Sequence, residues 1–308
     1  MTADRHNPTY LPAIEIPRSV TIVTDLEAAV AAAPMVALAV PSQSMRDLAQ
    51  NVRPYLSGDE TIVSLAKGIE NDTLMTMSQV LADVLAVPDR IGVLYGPSHA
   101  EEVAESRPTT VVAAAPSADL AHRIQEAFLT DRLRVYVNTD VIGVEIGGSA
   151  KNVLAIAAGI SDGVGYGDNA KAALVTRGIA EIRRLGLAMG AQAQTFAGLT
   201  GIGDLVVTCM SRHSRNRHLG EEIGRGKTLD QVLAEMDMVA EGVRTTQSIH
   251  DLAQKHDVEM PITEAVYAVL FEGQRPHEMM ETLMTRRAKH EHWRPEALQD
   301  VSASSSAG

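Results

Sequence analysis

Asp140–Gly163 reads D-V-I-G-V-E-I-G-G-S-A-K-N-V-L-A-I-A-A-G-I-S-D-G, and it divides the chain into two kinds of sequence. Ile142, Ile146, Val153, Ile156 and Ile160 keep helical spacing and Asp140 is placed to cap the start, so one long helix is predicted. Gly143, Gly147 and Gly148 work against it, each costing about 1 kcal/mol relative to Ala in a helix interior. Glycines retained at that cost mean that another backbone or a ligand comes very close. Lys151 is the only charge between Ile146 and Ser161. A lone charge on such a helix either snorkels to solvent or works in a cleft.

Before this helix, short apolar runs alternate with amphipathic stretches. Thr21–Thr24 reads as the end of a strand and Leu26–Ala33 as a helix; Met35–Val40 is an apolar strand, after which Ser42 is placed to cap a helix that Pro54 ends. Strands at Thr61–Ala66, Arg90–Tyr95, Thr109–Ala114 and Leu133–Val137 alternate with helices at Leu74–Leu85, His99–Glu105 and Leu120–Leu129. This alternation predicts an α/β domain with a doubly wound parallel sheet covered by helices on both faces. Beyond Asp140 strand signals almost vanish and helical patterns recur to Met284, which predicts an all-α domain. The expected division is residues 1–139, residues 140–292, and a Ser/Ala/Gly-rich tail at residues 293–308 that reads as disordered. A sheet of this kind takes ligands beyond the carboxyl ends of its strands, where Lys67, Gly68 and Gly96 fall.

With 27 Lys plus Arg against 39 Asp plus Glu, the net charge is −12, and no basic field exists for nucleic acid or an anionic membrane. No uncharged apolar run approaches the roughly 20 residues that span a bilayer, so no membrane insertion is expected. Cys209 is the only cysteine, which excludes an intrachain disulfide and suits a reducing, cytoplasmic compartment. Cys209 and His213 have an i, i+4 spacing without a second pair, so no metal site is expected. The methionines read as core filler.

Several stretches together resemble the bacterial NAD(P)-dependent glycerol-3-phosphate dehydrogenases. They are N-P-T-Y-L-P at Asn7–Pro12, A-V-P-S-Q at Ala39–Gln43, S-L-A-K-G-I-E at Ser64–Glu70, G-P-S-H-A-E-E-V-A at Gly96–Ala104 and E-I-G-G-S-A-K-N at Glu145–Asn152. L-T-G-I-G-D-L-V-V-T-C at Leu199–Cys209, S-R-N-R at Ser214–Arg217, V-A-E-G-V-R-T-T at Val239–Thr246 and V-E-M-P-I at Val258–Ile262 complete the set, in register over nearly the whole chain. The resemblance implies interconversion of dihydroxyacetone phosphate and sn-glycerol 3-phosphate with NAD or NADP, in the supply of glycerophospholipid precursors. It implies Lys151 as the general acid/base, and Gly96, Ser98, Lys67, Asp204, Ser214, Arg215 and Asn216 as contacts to a small phosphorylated three-carbon substrate. Lys67, Ala100, Arg215, Val239 and Glu241 match cofactor contacts. It also implies a homodimer through the helical domain, and attributes the glycines of the long helix to a nicotinamide and substrate packed beside it.

One departure is large. Family members begin with a strand, a G-x-G-x-x-G turn, a helix and a second strand ahead of the segment matching Asn7–Pro12, and the sequence carries none of these there. The domain is therefore expected to be a truncated Rossmann-type sheet without its pyrophosphate turn. The intact site residues favour a natural start upstream of Met1; the chain taken from Met1 alone is expected to be weakly active or inactive. Two other readings stand beside this one: a related β-hydroxyacid dehydrogenase, and a non-catalytic remnant that binds a phosphate ligand. The helix start at Ser214–Asn216 favours a phosphate over a carboxylate substrate.

Overall fold

The computed structural model describes residues 5–31, 33–236 and 241–287. An antiparallel ribbon of β1 (His6–Asn7) and β2 (Leu11–Glu15) carries the N-P-T-Y-L-P turn, where the Asn7 side chain accepts the Tyr10 N–H at 3.2 Å. After α1 (Leu26–Ala31) come β3 (Met35–Leu38), α2 (Met45–Val52), β4 (Thr61–Ser64), α3 (Met77–Leu85), β5 (Ile91–Tyr95), α4 (Ala100–Ala104), β6 (Thr109–Ala114), α5 (Ala118–Phe128) and β7 (Leu133–Asn138).

The main sheet has the order β3-β4-β5-β6-β7, and it corrects the expected parallel arrangement: β6 runs antiparallel to β5. The other three pairings are parallel. The reason lies in the connection. At 1.5 Å per residue α4 advances only about 7 Å, too little to carry the chain back along β5, so β6 sets out from the end where β5 stops. Residues 21–24 form no strand, against expectation; the described sheet ends at β3, and Val20 and Val23 are exposed. Ser42 does not cap α2 either. It opens a 3-10 turn, Ser42–Ser44, which leaves Ser44 in the cap position and frees the Ser42 amide for another partner. α3 starts later than its periodicity suggests, because Leu74 adopts a left-handed conformation and Thr76 with Gln79 forms a capping box.

Alternation along the strands sorts the two faces. Val111 and Ala113 of β6 join Val63 and Val135 under Leu120, Ala121 and Ile124 of α5. Val112 and Ala114, on the other face, join Val93 and Tyr95 against Val144. α2 and α3 cover Leu38, Ile62 and Ile91 with Met45, Met77 and Leu81, so these two methionines are core, whereas Met210 and Met284 lie exposed at 63% and 77%.

The rest is helical: α6 (Val141–Val164), α7 (Asp168–Ala188), α8 (Asp204–Met210), α9 (Arg215–Gly224), α10 (Leu229–Glu235), α11 (Glu241–Lys255), α12 (Pro261–Phe271) and α13 (Pro276–Met284). α6 begins as predicted. The Asp140 carboxylate accepts the Gly143 N–H at 3.0 Å and also holds Thr195 and the Gln192 amide, which fastens the turn before α6 to the turn after α7. Every residue from Gly143 to Ser161 is buried, so α6 is a core helix surrounded by the others. Its length and composition would suffice to cross a membrane, but 89% of the relevant window is buried inside the protein. The tail expected at residues 293–308 lies outside the described residues.

The glycines of α6 meet protein, which corrects the expectation that they make room for a ligand. A Cβ on Gly147 would stand 2.6 Å from the Thr200 carbonyl oxygen, and one on Gly148 would stand 2.7 Å from the Tyr95 ring. Further along, Gly159 and Gly163 lie against the backbone of α9, while Gly220 and Gly224 of α9 lie against the backbone of α6. The two helices thus touch backbone to backbone at paired i, i+4 glycines, where no side chain has room to intervene. Gly220→Val would drive a side chain into the Ile156 carbonyl. By overpacking it is expected to cost about 2–3 kcal/mol and lower the melting temperature by roughly 5–10 °C, read by circular dichroism. An unchanged melting temperature would show that the contact can open freely.

Candidate active site

The carboxyl ends of β4 and β5 face the middle of α6, and one carboxylate joins them. Asp204 follows a π-helical turn, Leu199–Gly203, a local widening of the kind that recurs at functional sites. Gly201 lets this turn form, since a Cβ there would strike the Phe196 backbone. The turn delivers Asp204 to the start of α8 with its side chain only 1% exposed. Lys67 Nζ donates to Asp204 Oδ2 at 2.8 Å and to the Gly96 carbonyl oxygen at 2.7 Å. Lys151 Nζ donates to Asp204 Oδ1 in a short ion pair and to Thr208 Oγ1 at 2.9 Å. Thr208 Oγ1 donates in turn to the Asp204 carbonyl oxygen at 2.6 Å, one helical turn back.

Burial decides the electrostatics. Desolvation disfavours the Lys151 ammonium and Lys67 repels it; Asp204 opposes both, and the balance pulls its pKa down to about 8. Burial by itself would raise the Asp204 carboxyl, but the two lysines outweigh it and hold it below the ordinary carboxylate range. The site is therefore two cations on one carboxylate, with net positive charge in a largely dry setting.

Most of the residues singled out from the sequence converge here. Lys67, Gly96, Lys151 and Asp204 form one hydrogen-bonded network, and Ser98 Oγ donates to the Gly96 carbonyl at 3.1 Å beside Lys67. Ser214 caps α9, its Oγ accepting the Arg217 N–H at 3.2 Å, so its hydroxyl proton stays available to an anion. Asn216 is buried and its Oδ1 accepts the Gly242 N–H at 2.9 Å, which leaves its amide N–H groups as donors and brings the starts of α9 and α11 together. Arg215 begins α9, and Arg217, further into the motif, pairs with Asp162 at 2.6 Å. The Glu241 carboxylate accepts the Ser42 N–H at 3.4 Å, which ties the end of β3 to α11. Burial raises the Glu241 pKa, against the pull of that N–H and of Arg215, Lys67 and Lys151. Ala100 lies apart from the lysine network, exposed at the start of α4. Val239 lies outside the described residues.

Sequence reasoning missed Thr208, the Ser42 amide and His99. The spacing D-x-x-x-T at Asp204–Thr208 was the available signal for the first, since residues four apart share a helix face. The others depend on contacts across distant segments. Asp204→Asn removes the carboxylate that favours the Lys151 ammonium. The Lys151 pKa is then expected to fall clearly below about 8, followed by NMR titration of 13C-methylated lysines. An unmoved titration would contradict the pairing.

The comparisons with known proteins agree with this geometry. A family model described as the NAD-dependent glycerol-3-phosphate dehydrogenase N-terminus matches residues 1–121, and its C-terminal companion matches residues 140–281. A glycerol-3-phosphate dehydrogenase of Salinibacter ruber (strain DSM 13855 / M31) is 68% identical over 304 residues, 98% of this chain and 88% of its own. That of Chlorobium limicola (strain DSM 245 / NBRC 103803 / 6330) is 54% identical over 293 residues, 94% of this chain and 88% of its own. The crystal structure of glycerol-3-phosphate dehydrogenase from Coxiella burnetii superposes with a TM-score of 0.88 at 36% identity, over 93% of this chain and 87% of that one. The chain belongs to the NAD-dependent glycerol-3-phosphate dehydrogenase family.

Proposed function

We propose that the cleft between the ends of β4 and β5 and the helices α6, α8 and α9 interconverts dihydroxyacetone phosphate and sn-glycerol 3-phosphate, with Lys151 moving the proton of the carbon-2 oxygen. The observation that carries this reading is the Lys151 ammonium held at a pKa of about 8 between Asp204 and Thr208. A group titrating near working pH can give a proton when the ketone is reduced and take one when the alcohol is oxidised. As a cation it also polarises the ketone before the proton moves. Asp204 and Thr208 fix the direction of Nζ, and Lys67, locked to the Gly96 carbonyl, adds a second positive charge at the same place.

The chemistry of the donor set fits the nicotinamide end of NAD or NADP. Glu241 and the Ser42 amide stand at the end of β3, within the field of Lys67 and Arg215, where a carboxylate can accept from a carboxamide. When bound, that group supplies the hydride. At the start of α9, the positive end of the helix, the Ser214 hydroxyl, the Asn216 amide and Arg215 suit the dianion of the substrate phosphate. A homodimer through the helical half and a cytoplasmic setting belong to the same reading. The exposed apolar row Ile202, Val206 and Met210 supports the first, and the buried, reduced Cys209 agrees with the second.

Lys151→Ala is expected to lower kcat by roughly 100-fold to 10,000-fold, the usual span for a general acid/base, with cofactor affinity nearly unchanged. Near-normal turnover would remove Lys151 from the role. Arg215→Ala is expected to raise KM for dihydroxyacetone phosphate about tenfold or more with a smaller change in kcat. Both are read from NADH or NADPH oxidation at 340 nm, about the absorption maximum of the reduced cofactor. A KM unchanged by Arg215→Ala would place phosphate recognition elsewhere.

A further inference from the structure

One polar atom at the mouth of this cleft has no partner. Nε2 of His99 is buried from water and makes no hydrogen bond among the described residues. A buried ring nitrogen left unpaired is costly, and native proteins rarely keep one without a water or ligand to meet it. His99 follows Ser98 directly in the loop after β5, and His213 directly precedes Ser214 in the turn before α9. Their ring centroids lie 5.9 Å apart, so the two imidazoles bring together the two loops that carry Ser98 and Ser214. His213 is exposed and stands outermost, with the partly buried His99 behind it.

We propose that His99, backed by His213, is a further substrate-positioning contact, its unpartnered Nε2 donating to the phosphate of the three-carbon substrate as that group settles at the start of α9. The inference rests on the reading above that the cleft takes a phosphorylated three-carbon substrate. Phosphate oxygens only accept, so binding selects the tautomer with the proton on Nε2. The ring is suited to stay uncharged while doing so. Burial lowers its pKa, Lys151 and His213 lower it further, and Glu101 and Glu102 on α4 pull the other way. A neutral donor adds a directed hydrogen bond to the dianion without adding another charge beside Lys67 and Lys151. It thereby contributes to where the phosphate sits, and so to which carbon lies over Lys151, and leaves the proton transfer to Lys151.

The test titrates sn-glycerol 3-phosphate, and separately inorganic phosphate, into the full chain by calorimetry, for the wild type, His99→Phe and His99→Gln. Phe keeps the ring and loses the donor; Gln keeps an N–H donor. His99→Phe is expected to weaken both ligands by about tenfold, the scale of one hydrogen bond to a charged group, and His99→Gln to recover part of the loss. Equal affinity of wild type and His99→Phe for sn-glycerol 3-phosphate overturns the proposal. So does a loss confined to sn-glycerol 3-phosphate with phosphate unaffected, because the ring would then touch the carbon chain. A wild type that binds neither ligand overturns the substrate reading itself, a distinct result. Should His99→Phe fail to fold, ring 15N shifts of wild-type His99 decide: a move at Nε2 on adding sn-glycerol 3-phosphate supports the contact, and no move rejects it.

Discussion

The carboxylate of Asp204 is the constraint on which the site depends. It is nearly inaccessible to water and carries two ammonium groups, one from the loop after β4 and one from the middle of α6. Taking three charges out of water is costly, and such a cluster is a poor way to gain stability. What it provides is position. Two lysines that would otherwise repel are held close together, one fixed by the Gly96 carbonyl and the other by Thr208. The same burial that makes the cluster costly brings Lys151 down to about 8.

Everything around the cluster serves to hold α6 still. The helix is buried along its working length, and its glycines admit the Thr200 carbonyl, the Tyr95 ring and the α9 backbone where side chains would push them away. Glu145 of α6 accepts the Ser78 N–H at 2.8 Å and the Ser78 hydroxyl, fastening the helix to the start of α3 beneath the sheet. Asp162, near the other end, pairs with Arg217 and Lys171. Lys151 therefore stands on an element anchored at both ends, while the start of α11 reaches both the Ser42 amide and Asn216.

Much of this was legible from residues alone. The alternation of apolar runs and helical patterns, the Asp140 cap and the change of character at residue 140 are local signals, and local signals survive in a single sequence. The motif register carried Lys67, Gly96, Lys151 and Asp204 to one place. The losses share a cause. The reversal of β6 depends on how far α4 can travel, and the absent strand at residues 21–24 depends on whether a neighbour offers an edge. The Ser42 amide turns from its own helix to Glu241, far along the chain, and Gly147, Gly148, Gly159 and Gly163 of α6 meet partners more than fifty residues away. Such pairings are set by tertiary packing, which overrides the local preference that sequence reading measures.

In the proposed mechanism one lysine serves both directions of one reaction. The most direct test is the pH dependence of kcat measured in each direction on the same preparation. Ketone reduction needs the ammonium and should fall as pH rises through the Lys151 pKa; alcohol oxidation needs the free amine and should rise through it, both bending near pH 8. Mirror-image limbs that share this midpoint are the predicted result. Profiles flat from pH 6 to 10, or limbs that bend the same way in both directions, would contradict it.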